Sequence, residues 1–380
     1  MTTASVLFAL LRTAVCGEVL DGAVVAACTP EMLSGVYALA KQHDLAHLAA
    51  QGLEGQRVPD CEALKKMQEA KLRSIYRYAQ MEYAYEGLCQ TLEAAQLDFL
   101  PLKGAVLRRY YPQSWMRTSS DIDVLVREGD LEKAVAALTK RGWTIQGEVN
   151  YHDISLNSPL GVHLELHFHI RENIARLDGV LDRVWQHSSA EEGHRYVMEE
   201  GFFLFHQVAH MAYHFLDGGC GIRPFLDLWV LRRCPEEGGR SLCREAGLDD
   251  FYGQVRLLAE IWFGGGVHSG LTQQMEEYLL GGGAFGNLAN RTRMTEAVRG
   301  EGNWLQRLIL PYELLKVRYP VLNRHRWLMP VYQVVRWFGK LDSQRLRRLL
   351  RMGKQKKELS RGEIDNTKAF LSQLGLNNLG

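Results

Sequence analysis

The pattern of apolar and polar positions divides the 380-residue chain into helical stretches and one mixed segment. Up to about residue 95, apolar side chains recur every three or four positions, as they do on the buried face of a helix. The longest such stretch, ALKKMQEAKLRSIYRYAQMEYAYEGLCQTLEAAQ, contains no proline and no glycine before Gly87. Past residue 173 the helical pattern returns, with glycine-rich breaks at 218–221, 264–266 and 281–283. The pattern therefore predicts helices on both sides of the mixed segment, and helices alone from residue 173 onward.

The mixed segment, residues 96–172, alternates strand patterns with turns and helices. DFLPLKGAVLRRYY predicts a short strand, a turn at Lys103–Gly104 and a helix that begins near Ala105. DIDVLV predicts the next strand, and DLEKAVAALTKRG predicts an amphipathic helix capped by Asp130 and ended by Gly142. Three further strands are predicted from WTIQ, HDISLN and GVHLELHFHI.

These patterns predict an α+β fold in which a small mixed-sheet domain is embedded between an N-terminal helical segment and a C-terminal helical bundle. The predicted regions are a helical segment over 1–95, the α/β core over 96–172, a helical domain packing on the cleft of that core over 173–300, and a basic helical region over 301–380. No repeat with a fixed period is visible.

Composition narrows the class of protein without identifying a partner. Hydrophobic residues make up 46% of the chain and charged residues 23%, which is ordinary for a globular protein. The net charge of +1 gives no reason to expect that the chain as a whole binds a polyanion. The seven cysteines are scattered and never form a CxxC pair, which argues against a disulfide framework and a zinc ribbon. Since no long uncharged apolar run and no signal-peptide pattern is present, we expect a cytoplasmic protein without a transmembrane segment.

Candidate chemistry begins with Asp121 and Asp123 in DIDVLV. Side chains alternate along a strand, so both carboxylates project from the same face. Two anions this close repel each other and require a cation, and oxygen ligands suit Mg²⁺ or Mn²⁺. Glu165 in VHLELHF is the single acid of another predicted strand, and it is the candidate third ligand. Three acids would allow two metal ions about 4 Å apart, as in enzymes of phosphoryl displacement.

Small and cationic residues nearby complete a candidate nucleotide site. Gly104 opens the predicted helix, whose free N–H groups and positive end suit a phosphate, and Lys103 places a charge beside it. Arg117, Ser119 and Ser120 lie just before the paired aspartates. An Asp-x-Asp pattern alone more often serves a turn or a cap, so the site prediction depends on these features occurring together.

The segment PLKGAVLRRYYPQSWMRTSSDIDVLV resembles the signature of the bacterial uncharacterised nucleotidyltransferase family, a branch of the DNA polymerase β-like superfamily. That signature runs Leu-Lys-Gly, a short helix ending in Tyr-Pro, an Arg, and then Asp-h-Asp-h-Leu-Val, where h is apolar. The matching residues are Leu102, Lys103, Gly104, Tyr111, Pro112, Arg117, Asp121, Asp123, Leu125 and Val126. The resemblance covers roughly residues 95–230, because it extends to His210, His214, Gly221, Arg223 and Asp227.

The resemblance implies a palm-like fold and transfer of an NMP group from an NTP to an acceptor hydroxyl. ATP is the expected nucleotide, and the choice among ATP, CTP, GTP and UTP stays open. It also implies two metal ions on three acids. In this sequence Asp121 and Asp123 match the metal pair, Glu165 the third acid, and Gly104 the glycine of the phosphate loop.

Ala105 departs from the family pattern, since Gly or Ser follows the glycine in much of the superfamily. The residues available to replace that phosphate contact are Lys103, Arg117, Ser119 and Ser120. Two alternatives therefore stay open: a catalytically inactive nucleotide-binding or scaffold protein on the same fold, and a toxin–antitoxin or protein-modifying nucleotidyltransferase. The acceptor is not identified by the sequence.

Two residue pairs downstream have both structural and functional interpretations. His210 and His214 lie one helical turn apart, a spacing that can bind zinc, but no third ligand is evident. We interpret them as helix histidines, with lining of the cleft as the functional alternative. Arg223 and Asp227 have the spacing of an ion pair on a helix. If they face the cleft instead, Arg223 is placed to hold a phosphate or an acidic acceptor.

The C-terminal part is strongly basic. Residues 307–361 contain 15 Lys or Arg against 3 acids, interleaved with aromatic side chains. The ordinary interpretation is the solvated face of a helical bundle. The alternatives are contact with an anionic membrane surface or with nucleic acid or another polyanion.

Overall fold

The computed structural model describes residues 1–149, 151–172, 174–284, 286–298, 312, 315–316, 319–339, 360–377 and 379. Its N-terminal part is helical, as the sequence predicts. The helices are α1 (Thr3–Cys16), α2 (Gly22–Ala27), α3 (Pro30–Gln42), α4 (Ala46–Gly52) and α5 (Glu62–Ala94). Thr2 and Ser5 form a capping box at the start of α1, and Thr29 caps α3 just before a proline in its first turn.

A seven-stranded sheet follows. Its segment contains β1 (Phe99–Pro101), α6 (Lys103–Leu107), β2 (Asp121–Val126), α7 (Leu131–Lys140), β3 (Thr144–Val149), β4 (Asp153–Asn157), β5 (His163–His167), α8 (Ala175–Leu181), β6 (Ser188–Glu192) and β7 (Arg195–Met198). The strand order is β3-β4-β5-β2-β1-β7-β6. β2 is parallel to β5 and β1 to β7, whereas the other neighbours are antiparallel. This mixed sheet between helical parts confirms the α+β prediction.

Helices form most of the rest of the described chain. They are α9 (Glu200–Leu216), α10 (Arg223–Val230), α11 (Glu237–Glu245), α12 (Asp249–Gly264), α13 (Gly270–Gly282), α14 (Leu288–Val298), α15 (Met329–Gly339) and α16 (Arg361–Gln373). The predicted break at 218–221 joins α9 to α10, and Gly218, Gly219 and Gly221 all have positive φ there.

The structure corrects three local predictions. Continuous helix was expected past residue 173, but β6 and β7 lie there and extend the sheet beyond the predicted core boundary at 172. The β6 sequence is polar and mostly exposed, so it lacks the alternation of apolar and polar residues by which a strand is recognised.

The other two corrections concern helix ends. α6 begins at Lys103 rather than near Ala105, so Lys103 and Gly104 form its first turn. Asp130 precedes α7, but its carboxylate accepts from Lys133 at 2.8 Å instead of capping the helix backbone. The division into four regions stays a prediction.

The sheet separates two apolar cores, and β2 contributes to both. Ile122, Val124 and Val126 point into a core shared with α5 and α7, whereas Leu125 points into the larger core formed with the surrounding helices. Each buried aliphatic side chain of this kind contributes about 1.5–3 kcal/mol. Because Leu125 shares its face with Asp123 and Asp121, the acids lie on the side of the sheet that α9 and α10 approach.

The basic stretch 307–361 lies mostly outside the described residues, so its role stays a prediction. Within the described ranges, no helix has both the length and the apolar character needed to cross a membrane.

Candidate active site

Parallel pairing of β2 with β5 aligns the predicted acids. Asp123 lies opposite Glu165, and Asp121 lies opposite His163. Directly opposed residues of neighbouring strands point to the same face, so the carboxylates of Asp123 and Glu165 share one surface of the sheet. Asp123 is only 4% exposed, whereas Asp121 is half-buried at the start of the strand and accepts a hydrogen bond from Ser120 Oγ at 3.0 Å.

Two cationic side chains bind the central aspartate. Lys103 Nζ donates to Asp123 Oδ1 at 2.9 Å, and His167 Nε2 donates to the same oxygen at 3.0 Å. The same His167 nitrogen lies 3.5 Å from Glu165 Oε2. The carboxylates that would otherwise repel one another are therefore neutralised by a lysine and a histidine.

This clustering shifts the pKa values of its members. Burial disfavours protonated His167, but the hydrogen bonds that it donates to Asp123 and Glu165 outweigh this effect and raise its pKa to about 9. Burial also disfavours charged Lys103, yet the carboxylates of Asp123, Glu172 and Glu165 raise its pKa. For Asp123 the effect of burial is reversed by Lys103 and His167, which lower the pKa well below its usual range. In contrast, burial and the neighbouring acids raise the pKa of Asp121.

Gly104 allows the start of α6 to approach the loop before β2. A Cβ at this position would lie 3.2 Å from both Cβ and Oγ of Ser119, which is tighter than ordinary packing. Arg108 from the end of α6 donates to Ser119 Oγ at 2.6 Å and holds the loop from the other side. Lys103 itself has φ of +40°, a left-handed conformation that costs a non-glycine residue about 1–3 kcal/mol. Such strain is common at functional sites, and here it brings the ammonium group to the acids.

Arg117 is oriented by a contact with α10. Its Nε donates to Asp227 Oδ1 at 2.7 Å, and the Tyr111 hydroxyl donates to the same oxygen at 2.7 Å. Arg223 donates to Asp44, which precedes α4. The helical ion pair considered for Arg223 and Asp227 is therefore replaced by two contacts to other elements.

A chain of three side chains faces the acids: Glu172 from the segment after β5, and His210 and His214 from α9. Glu172 Oε1 accepts from His210 Nδ1 at 2.7 Å, and His210 Nε2 lies 3.0 Å from His214 Nε2. Burial opposes ionisation of Glu172, but His210 outweighs it and lowers the pKa of the carboxyl group to about 2. Burial lowers the pKa of His214 to about 3 and that of His206 to about 3, so both are neutral near pH 7.

These groups surround one cavity of about 340 Å³. Eleven of the twelve residues predicted for the site or the cleft line it: Lys103, Gly104, Arg117, Ser119, Ser120, Asp121, Asp123, Glu165, His210, His214 and Arg223. Asp227, the twelfth, lies behind Arg117 and lines an adjoining pocket. Residues separated by more than 100 positions in the chain are thus gathered in one cleft, while their individual roles stay proposals.

Sequence reasoning missed two central residues. His167 follows Glu165 by two positions in a strand, so alternation alone places both on the same face, and that signal was available. Glu172 lies after β5 in a segment without periodic pattern. Its contact with His210 joins positions 38 apart, and nothing in the sequence indicated it.

The donor set fits a divalent cation. Asp123, Glu165 and His167 offer ligand atoms that lie within 4.8 Å of one another, and this is the one such group found among the described residues. The two carboxylates suit Mg²⁺ or Mn²⁺, whereas an imidazole is more typical of sites for zinc or iron. The closest trio thus contains His167 where the sequence predicted Asp121, which lies at the edge of the same cleft.

Comparison of the sequence with models of known protein families identifies a nucleotidyltransferase family, which agrees with the arrangement of acids and cations in the cleft. The model of a family described as uncharacterised nucleotidyltransferase matches residues 31–264, more than half of the chain. The match confirms the family predicted from the 95–230 segment and extends beyond it on both sides, from α3 to α12. No curated protein matches the chain in sequence. Nucleotidyl transfer from a nucleoside triphosphate is the activity that this family description supports, and the chain belongs to the uncharacterised nucleotidyltransferase family.

Proposed function

We propose that this protein transfers an NMP group from an NTP, with ATP as the expected nucleotide, to an acceptor hydroxyl in a reaction that requires Mg²⁺ or Mn²⁺. The observation that carries the proposal is the alignment of Asp123 with Glu165 on paired parallel strands, directly facing Lys103 and the start of α6. A cluster of buried carboxylates beside phosphate-binding groups is the arrangement that phosphoryl transfer requires.

The residues divide into an ion-binding set and a phosphate-binding set. Asp121, Asp123 and Glu165 would hold the metal, and His167 could join them only after losing its proton. The metal would stabilise negative charge on the transferring phosphoryl group. Glu165, whose side chain is 32% exposed, also accepts the proton of the acceptor hydroxyl.

The phosphate-binding set comes from two segments. Gly104 presents the N-terminal N–H groups of α6, and Lys103 adds its ammonium group. Arg117, Ser119 and Ser120 approach the same space from the loop before β2. Arg117 is fixed by Asp227, so its guanidinium is oriented before the nucleotide binds.

The alternative of an inactive nucleotide-binding or scaffold protein arises because Ala105 lacks the hydroxyl of the serine found there in part of the superfamily. Ala105 lines a different cavity, which also contains Tyr78 and Tyr196. The hydroxyl of Ser119 lies 3.2 Å from the position of a Cβ on Gly104 and so is placed to supply the contact that Ala105 lacks. The retained acids and this replacement favour an active enzyme. A toxin–antitoxin or protein-modifying transferase would share the same chemistry and differ only in its acceptor.

Calorimetric titration with ATP, CTP, GTP and UTP, each with and without Mg²⁺, tests the proposal. We expect metal-dependent binding of at least one nucleotide by the wild type and its loss in Asp123→Asn. Asp98→Asn is the matched control, because Asp98 precedes β1 and pairs with Arg127 and His194 away from the cleft. Binding that is insensitive to both metal and Asp123→Asn would favour the scaffold alternative.

Two further proposals concern the surroundings of the enzyme. All seven cysteines are free thiols, which supports a reducing compartment such as the cytoplasm. The basic stretch 307–361 supports contact with an anionic membrane surface or a polyanion, and high salt is expected to weaken such contact.

A further inference from the structure

A second, smaller pocket of about 130 Å³ adjoins the cleft. The cleft and this pocket share five lining residues: Lys103, Arg117, His210, His214 and Arg223. The smaller pocket continues past them to Gln207, Cys220, Pro224 and Asp227, and none of the acids Asp121, Asp123 and Glu165 lines it. Since a water molecule takes up about 30 Å³ of liquid, this space accommodates about four waters or one small polyatomic group.

The wall of this pocket contains buried donors without acceptors. Gln207 is 7% exposed, and its Nε2 has no hydrogen-bond partner among the described residues. Arg223 Nε is likewise buried and without a partner in the described chain, because the guanidinium contacts Asp44 through Nη2. A buried donor left without an acceptor destabilises the folded protein. A ligand that supplies acceptor oxygens removes this destabilisation.

The charges of the wall favour an anion. Lys103, Arg117 and Arg223 line the pocket as cations against the single carboxylate of Asp227. Burial lowers the pKa of Arg223, and the nearby guanidinium of Arg117 lowers it further. Arginine forks are well suited to phosphate and carboxylate oxygens.

We propose that this pocket, the Gln207–Arg223 pocket, binds an anionic group of the acceptor, so that the acceptor is a phosphorylated or carboxylated molecule with a free hydroxyl. The inference rests on the proposed nucleotidyl transfer. The leaving pyrophosphate offers the same oxygen chemistry, but Gly104, Ser119 and Ser120, the other groups proposed for the triphosphate, do not line this pocket. The acceptor is therefore favoured as the source of the anion.

The test is binding of inorganic phosphate, followed by ³¹P NMR, to protein loaded with Mg²⁺ and a non-transferable α,β-methylene ATP. We expect phosphate to bind the loaded wild type and to bind Gln207→Met at least about tenfold more weakly, since the variant loses a hydrogen bond to a charged group. Gln207→Met removes a donor that has no partner in the described structure, so its denaturant midpoint should be equal to or above that of the wild type. Gln273→Met, an exposed position on α13, is the matched control and should bind phosphate like the wild type.

Three other outcomes would overturn either the acceptor proposal or the proposed nucleotidyl transfer. Phosphate binding that disappears once the analogue is loaded, together with weaker analogue binding by Gln207→Met, would assign the pocket to the nucleotide and overturn the acceptor proposal. Phosphate binding that is absent, or equal in the wild type and Gln207→Met, would also overturn it. If the analogue does not load at all, the proposed nucleotidyl transfer fails, and titration of the free protein and Gln207→Met with phosphate still decides whether the pocket binds an anion.

Discussion

Lys103 Nζ and Asp123 Oδ1 lie 2.9 Å apart, a partly buried ion pair between the first residue of α6 and the middle of β2. The pair fixes the helix start against the strand, and it also places a cation where three carboxylates converge. If the site binds a metal and a triphosphate, as proposed above, Asp123 would be available to the metal and Lys103 to a phosphate. The same two side chains can therefore stabilise the protein without ligands and act on the nucleotide when it is bound.

A double-mutant cycle measures the coupling of this pair. Lys103→Met and Asp123→Asn each leave a buried charge without its main partner, so each should lower the free energy of unfolding by about 1–3 kcal/mol. The double variant should lose at least about 1 kcal/mol less than the sum. Denaturant unfolding without metal gives these values. The exposed pair Lys133 and Asp130 is the control and should couple by less than about 1 kcal/mol.

Gly104→Ala tests the close approach of α6 to the loop before β2. The new Cβ would meet Ser119 at 3.2 Å, so the loop must shift and the affinity for nucleotide should fall about tenfold or more. Gly87→Ala is the control, because Gly87 lies inside α5 with no atom within 4 Å of the added Cβ. It should raise stability by about 0.5–1 kcal/mol and leave nucleotide affinity unchanged. Equal nucleotide affinity in Gly104→Ala and the wild type would contradict the assigned role of the glycine.

Much of this site could be predicted from the sequence because strand alternation and a glycine at a helix start are local patterns. Strand alternation identified Asp121 and Asp123, and the turn before a predicted helix identified Lys103 and Gly104. The parallel pairing that puts Glu165 beside Asp123 depends on the sheet order, which the family resemblance implied but local patterns do not encode. Contacts of α9 and α10 with the sheet, such as His210 with Glu172, depend on how distant elements pack, and single-sequence patterns do not specify such packing.

Glu172→Gln tests whether the carboxylate positions His210. Gln keeps the size of the side chain and one acceptor oxygen, but it removes the charge that holds His210 Nδ1–H at 2.7 Å. We expect nucleotide affinity within about threefold of the wild type and a turnover reduced about tenfold or more, because the carboxylate orients an imidazole that faces the acceptor side of the cleft. The control is Glu199→Gln, which removes the exposed carboxylate that His187 contacts at 2.9 Å. Loss of nucleotide affinity equal to the loss of turnover would contradict a role limited to the acceptor.

Two buried histidines outside the cleft predict how stability depends on pH. Burial lowers the pKa of His43 and of His47 to about 4 in the folded protein, against 6.5 for an unperturbed histidine. Between these values the unfolded chain binds protons that the folded chain excludes, so stability falls as pH decreases from about 6.5 to 4. Each histidine contributes at most about 1.4 kcal/mol per pH unit in this window. His167, with its pKa raised to about 9, acts in the opposite sense: it makes stability fall as pH rises from about 6.5 to 9, and its contribution is constant only well below pH 6.5.

Urea unfolding at intervals from pH 4.5 to 7.5 measures that slope in the wild type and in His43→Gln. Glutamine can still donate to Leu280 O, which His43 Nε2 contacts at 3.3 Å, but it does not titrate. The variant should therefore show a shallower loss of stability below pH 6.5 and a similar pH dependence above 7. His325→Gln, at an exposed position, should reproduce the wild-type slope. A slope in His43→Gln equal to that of the wild type would show that His43 takes up its proton in the folded state as readily as in the unfolded chain.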